Sequence, residues 1–245
     1  MIETTEDRFL DGRVSVRQPQ DGFRAGLDAV MLAAAVPARP GETALELGAG
    51  VGTASLCLAQ RIENLTIAGL EIDACLAGIA NANAAANGMA GRVLFATGDA
   101  LDPPAALRRS FDHVFCNPPF HGEEGEVSPD AARARALQDG GKLAGWLAAG
   151  LKRTASGGTF TTILRADRLG GALAALPQGG VTVFPLWPRA DAQAKRIVVQ
   201  VRNGSRAPLT ILPGLVLHGA DGRYTPEADA VLRDGASLAL DSRGL

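Results

Sequence analysis

The chain has 245 residues, 47% of them hydrophobic and 20% charged, with a formal net charge of −2. That composition supports a sizeable buried core and excludes an intrinsically disordered chain. The near-balance of charge excludes nucleic-acid binding through bulk positive charge and leaves only local basic patches.

In chain order, Leu27–Val36 reads as a helix stopped by Pro37, Thr43–Leu47 as a strand and Gly52–Arg61 as a helix. Thr66–Ile72 is the next strand, and Ala74–Asn87 a helix ended by Gly88. Arg92–Ala96 and Asp112–Cys116 are two further strands. A long Ala-rich helix is expected over Pro129–Thr154, weakened by Gly140, Gly141 and Gly145. A turn at Gly157-Gly158 leads to the strand Thr159–Leu164, the helix Ala166–Leu176, and strands at Val181–Phe184 and Arg196–Arg202. Thr210–His218 reads as one more strand pair around Pro213-Gly214. Strands alternating with helices predict an α/β fold, a doubly wound, mostly parallel sheet with right-handed crossovers.

Cys57, Cys75 and Cys116 have no CxxC spacing, so neither a disulfide framework nor a metal site is expected. The acidic, polar start of the chain is unlike a secretory leader. The longest apolar run, Leu27 to Pro37, contains Asp28 and is too short to span a bilayer. A cytoplasmic protein without membrane association is expected.

Four motifs carry chemistry. In Glu46-Leu47-Gly48-Ala49-Gly50-Val51-Gly52 a strand runs through alternating glycines into a helix, allowing close backbone approach to a ligand. The spacing differs from that of dinucleotide enzymes, and a purely structural turn is the other reading. Glu71, at the next strand end, stands where doubly wound folds bind ribose hydroxyls, with Asp73 capping the following helix. The bland alternative makes both acids helix-terminus charges. Asp99, in Thr97-Gly98-Asp99-Ala100, reads equally as an acceptor for an adenine amine or as a turn residue. Asn117-Pro118-Pro119-Phe120 directly follows a strand, and its prolines aim the asparagine before any substrate arrives. A structural proline turn would not account for all four residues.

In this order the motifs resemble those of class I S-adenosylmethionine-dependent methyltransferases. The resemblance covers roughly Gly22 to Arg202. Asn117–Phe120 is similar to the motif of amino-group methyltransferases acting on adenine N6, cytosine N4 or glutamine amide nitrogen. The segment Gly22–Asp28 and the strand entry Ala194–Ile197 are similar to those of bacterial tRNA adenine-N6 methyltransferases, which modify the adenine beside the anticodon of a valine tRNA. Two residues depart from that pattern: Phe120 stands where tyrosine is commoner, and Leu27 where threonine is expected.

The resemblance implies a Rossmann-like sheet of about seven strands with the last antiparallel. Residues 1–40 would form a substrate-side segment and helix packed on a methyltransferase domain at 41–245. S-adenosylmethionine would be the cofactor and S-adenosylhomocysteine the product. Glu46, Gly48, Gly50 and Gly52 would form the cofactor turn, Glu71 would hold the ribose and Asp99 the adenine amine. Asn117, Pro118, Pro119 and Phe120 would be the catalytic set, with the target amine on Asn117 and Pro118 and the target base stacked on Phe120.

RNA, most simply tRNA, would be the partner. The chain has only three lysines, so arginines would supply most phosphate contacts. Arg24, Asp28, His121, Lys195 and Arg196 complete the candidate substrate-side set, although His121 reads equally as a solvated loop residue. No metal is expected. Competing readings are a protein glutamine methyltransferase, an rRNA base methyltransferase and a non-enzymatic cofactor-binding scaffold. About 40 residues before the first strand argue against the extra recognition domain of the glutamine enzymes. Intact motifs argue against the scaffold.

Overall fold

The computed structural model describes residues 3–22, 24–119 and 142–240. β1 (Thr4–Phe9) and β2 (Val14–Pro19) form a separate antiparallel hairpin. One nine-stranded sheet contains β3 (Thr43–Leu47), β4 (Thr66–Glu71), β5 (Val93–Thr97), β6 (Phe111–Cys116), β7 (Thr154–Arg165), β8 (Val181–Trp187) and β9 (Arg196–Arg202). Two short strands, β10 (Thr210–Ile211) and β11 (Leu215–Val216), complete it.

The order across the seven long strands is β5-β4-β3-β6-β7-β9-β8. Neighbours from β5 through β7 are parallel, and β9 is antiparallel to both β7 and β8. This is the expected doubly wound sheet, with the order reversing direction at β3.

Helices cover both faces because successive strand side chains alternate between them. Ala44 of β3 and Phe115 of β6 join the core shared with α1 (Leu27–Ala35), α2 (Thr53–Arg61) and α3 (Ala74–Ala86). Leu45, Leu47, Val114 and Cys116 face the core shared with α4 (142–153) and α5 (Leu169–Ala175). Full burial of a leucine or phenylalanine contributes about 1.5–3 kcal/mol. Leu45, Leu47, Phe115 and Phe160, all at 0% exposure, therefore hold these strands in the middle of the molecule.

Local signals explain several boundaries. The Asp73 carboxylate accepts from the backbone of Cys75 (2.7 Å) and Leu76 (3.2 Å), so it caps α3 as expected. His113 serves the fold, its ring bridging Thr159 Oγ1 and Glu42 Oε2, each at 2.8 Å.

Four expectations need correction or restriction. Residues 4–19, where the sequence pattern marks no strand, form the hairpin. Gly157-Gly158 is no free turn but sits inside β7, whose pairing with β6 shifts register between Phe111 and His113. Thr210–His218 does not make a strand pair of its own; β10 and β11 each add in parallel to β8. The long helix expected over Pro129–Thr154 is described only from 142 to 153, and Thr154 already opens β7.

The hairpin is clasped by two asparagines one turn apart, Asn83 on α3 and Asn87 at its C-terminal cap. Asn83 Oδ1 accepts from the Arg17 backbone (2.9 Å), while its Nδ2 donates to the carbonyls of Arg17 (3.1 Å) and Val51 (3.0 Å). Asn87 does the same for Ser15, accepting at 2.9 Å and donating at 2.7 Å. The two amides act on β2 as a neighbouring strand would. Among the described residues no helix is long and apolar enough to cross a membrane.

Candidate active site

Leu47 at the end of β3 pairs with Leu70 on β4 and with Cys116 on β6. The three strands thus finish level, and the glycine turn after β3 lies between Glu71 and Asn117. This is the carboxyl edge of the sheet at its point of reversal, where open α/β sheets bind ligands.

The turn is built from the backbone. Gly48, Gly50 and Gly52 have φ of +69°, +55° and +85°, values at which a Cβ is strained. Gly48 and Ala49 donate to the Leu70 carbonyl at 2.8 and 3.0 Å, and Gly50 donates to Glu71 Oε2 at 2.8 Å. Asp73 donates to Glu71 Oε1 at 3.0 Å. Each Glu71 oxygen keeps a second acceptor position, so a ribose diol can be received beside these bonds.

The three glycines meet different surroundings. A Cβ at Gly50 would meet nothing within 4 Å, which leaves that backbone approachable by a ligand. At Gly52 it would lie 2.6 Å from Phe95 Cζ, so this position accommodates a core ring. At Gly48 it would lie 2.7 Å from Trp146 Cη2 on α4.

Glu46 holds the turn from beneath. Its Oε2 accepts from the backbone of Ser55 at 3.1 Å and from the Ser55 hydroxyl. Burial pushes its carboxyl up to about 8, further raised by the Glu71 charge and opposed by the Ser55 bonds.

Asp99 follows β5, two residues beyond Thr97, the partner of Glu71 across the ladder. Its Oδ1 accepts from the Leu101 backbone at 2.8 Å, so it makes the turn that the sequence also allowed. On either side of this acidic edge stand two exposed apolar side chains that sequence reasoning missed, Ile72 (70% exposed) and Leu101 (53%). The available signal was an apolar residue beside an acid in each segment, Ile72 between Glu71 and Asp73 and Leu101 before Asp102.

Asn117 leaves β6 beside the turn, with Pro118 buried and Pro119 exposed. Its Oδ1 is buried without a hydrogen-bond partner. An orphaned buried acceptor is costly, by about 1–3 kcal/mol, and asks for a donor from a ligand. Phe120 and His121 lie outside the described residues.

The remaining substrate-side residues have partners or positions on the same edge. Arg24 donates to Thr5 Oγ1 and the Pro19 carbonyl, both at 2.8 Å, and pairs with Asp7, thereby bracing the hairpin. Asp28 pairs with Arg196 at 2.8 Å, tying α1 to the start of β9, and Lys195 beside it is exposed.

A glycine turn open at Gly50, a carboxylate with spare acceptor capacity and an unpaired buried amide oxygen together fit a nucleoside-bearing cofactor next to an amine donor. The family model described as the methyltransferase small domain matches residues 25–149, just over half of the chain. The chain belongs to this methyltransferase family. It is an S-adenosylmethionine-dependent enzyme, with a class I fold.

Relatives of this methyltransferase match well beyond the motifs. A tRNA1(Val) (adenine(37)-N6)-methyltransferase of Porphyromonas gingivalis is 30% identical over 238 residues, covering 90% of this chain and 91% of the relative. One of the same name from Shewanella amazonensis is 35% identical over 119 residues, 49% of this chain and 50% of the relative. A predicted O-methyltransferase from Agrobacterium tumefaciens superimposes with a TM-score of 0.72 at 25% identity, over 86% of this chain and 98% of that one.

Proposed function

We propose that this methyltransferase methylates the exocyclic N6 amine of an adenine in RNA, a tRNA of the valine type at the adenine beside the anticodon. The observation that carries the reading is the buried, unpartnered Asn117 Oδ1 at the end of β6. The named tRNA enzyme that aligns with 90% of the chain supports the choice of RNA.

An adenine amine is a weak nucleophile because its lone pair is delocalised into the ring. Asn117 Oδ1 and the Pro118 carbonyl accept hydrogen bonds from its two N–H groups, which favours a pyramidal nitrogen and aims the lone pair. Proline at 118 and 119 restricts the backbone that carries both acceptors. Bound S-adenosylmethionine supplies the methyl electrophile together with its leaving group. Gly50 and Glu71 would hold this cofactor, and Asp99 with the exposed Ile72 and Leu101 would receive its adenine.

The rest of the work is orientation, which in well-aligned systems contributes ~7–11 kcal/mol. A general base is unnecessary before attack, since the nitrogen becomes acidic only as the new bond forms. By the family resemblance Phe120 would stack the base, and residues 1–40, with Arg24 and Asp28, would make the substrate-side segment. A base already unstacked in an anticodon loop avoids the few kcal/mol that extrusion from a helix would require.

The test uses purified protein, labelled S-adenosylmethionine and tRNA from a strain lacking the modification. Nucleoside mass spectrometry should find N6-methyladenosine. Asn117→Ala should lose the product while calorimetry still finds the cofactor bound. Product at the wild-type rate from Asn117→Ala, or no methylated adenine from the wild-type enzyme, would overturn the proposal.

A further inference from the structure

A cavity lies outside the Asn117 site. It is a cleft of about 520 Å³ between the tip of the β1–β2 hairpin, the start of α1 and the C-terminal segment. Leu27 and Val30 line it, and Arg8, Asp11, Tyr224 and Arg233 stand around it. A volume of that order holds a small organic ligand.

Tyr224 is the chain's one tyrosine. His218 stacks on its ring at 4.8 Å and 26°, fixing the ring, and yet Tyr224 remains 40% exposed. A braced aromatic plane at a cleft wall is suited to a planar guest. Arg8 and Arg233 face the same cleft. Their ion pairs, to Glu6 at 3.7 Å and Asp229 at 2.7 Å, are both exposed. Such pairs are weak and a phosphate can replace them at the guanidinium.

The cleft's edge is firmly held. Leu10, Asp11 and Gly12 at the hairpin tip all have positive φ, at 52°, 55° and 82°. Leu10 is 3% exposed, and Arg13 donates to the Arg233 carbonyl. Two consecutive non-glycine residues in this region are uncommon and persist where surroundings over-determine them, often at binding sites.

Position connects the cleft to the active site. Leu27 precedes Asp28, which pairs with Arg196 at the start of β9. Arg196 in turn faces Arg165 at the carboxyl end of β7, the neighbour of β6 and hence of Asn117. β9 is two strand spacings, about 10 Å, from β6. Lys195, next to Arg196 at the start of β9, is exposed.

We propose that this cleft holds an unpaired nucleotide of the RNA whose reacting base enters the Asn117 site, with its base stacked on Tyr224 and its phosphate on Arg8 and Arg233. The inference rests on the RNA reading above and adds a specific second contact to it.

Fluorescence anisotropy with labelled tRNA, over a range of salt, tests the cleft by binding alone. Tyr224→Ala should weaken binding at least about five-fold, the loss expected for one stacked base. Arg8→Ala/Arg233→Ala should lower the slope of log K against log salt by about 0.7, the value for one phosphate on a single strand, and Arg8→Lys/Arg233→Lys should restore it. All variants should bind S-adenosylmethionine as the wild type does. Wild-type affinity and slope in the alanine variants would overturn the cleft. A wild-type enzyme that binds tRNA without methylating it would overturn the activity reading alone, and the variants would still decide the cleft. A wild-type enzyme that binds no tRNA overturns both.

Discussion

Trp146 on α4 lies against Gly48 in the turn after β3: a Cβ at residue 48 would come within 2.7 Å of Cη2 and 3.0 Å of Cζ3. The contact joins the glycine turn after β3 to the helix that precedes β7. Gly48→Ala would strain a φ of +69° and displace the indole together. We expect S-adenosylmethionine to bind at least ~10-fold more weakly, with a stability loss of about 1–3 kcal/mol in urea unfolding. Adding Trp146→Ala should recover part of both losses. Unchanged cofactor affinity in Gly48→Ala would separate the indole from the binding turn.

Phe95 fills the space that two glycines leave open. Its Cδ1 would be 2.2 Å from a Cβ at Gly69, and its Cζ 2.6 Å from one at Gly52. Gly69 has no positive φ, so Gly69→Ala tests packing without backbone strain. Overpacking of this kind costs about 1–3 kcal/mol. Thermal or urea unfolding should show that loss, and Phe95→Leu in the same chain should return most of it. A neutral Gly69→Ala would mean that the ring is not confined there.

Glu46 predicts a pH dependence of stability. Burial holds its folded carboxyl near 8, above the ordinary 4.5. Between those values the folded chain binds a proton that the unfolded chain has released, so stability falls as pH rises through this window. The contribution is complete below about 4.5 and lost above about 8. Glu46→Gln keeps an acceptor for Ser55 and does not titrate. Urea unfolding at several pH values should find the wild type losing a few kcal/mol relative to Glu46→Gln from acid to alkaline pH. Parallel curves would place the Glu46 titration outside this window.

Asn83 ties three elements together: β2 through Arg17, the glycine turn after β3 through Val51, and α3 on which it sits. Asn83→Ala takes the partner from the part-buried Arg17 amide and from the carbonyls of Arg17 and Val51, at about 1–3 kcal/mol. Hydrogen exchange should accelerate at the Arg17 amide ahead of the core strands. If the hairpin helps to hold RNA, this variant should also raise KM for tRNA with little change in kcat. Exchange unchanged at Arg17 would show that the clasp contributes nothing to hairpin docking.

Much of the central fold was legible because its signals are local. Thr43–Leu47, the alternating glycines and the following helix lie within 20 consecutive residues, and the turn geometry needs little beyond them. The same holds for the Asp73 cap, for Gly88 after α3, and for Asn117-Pro118-Pro119 leaving β6. The hairpin was illegible because β1, Thr-Thr-Glu-Asp-Arg-Phe, is charged and mostly exposed. Its register is supported by asparagines some 70 positions away in sequence. The pairing of β10 and β11 with β8, rather than with each other, likewise depends on a distant edge.

The sequence by itself determined the alternation of strands and helices, the turn that presents Gly50, and an asparagine held by prolines at a strand end. These follow from backbone stereochemistry and hydrophobic period, which act over a few residues. Only the tertiary structure decided that Trp146 lies on Gly48, that Phe95 occupies the space beside Gly52, and that Tyr224, Arg8 and Arg233 share one cleft. Those contacts depend on which distant surfaces meet when the sheet is covered, and close packing rather than local propensity selects them.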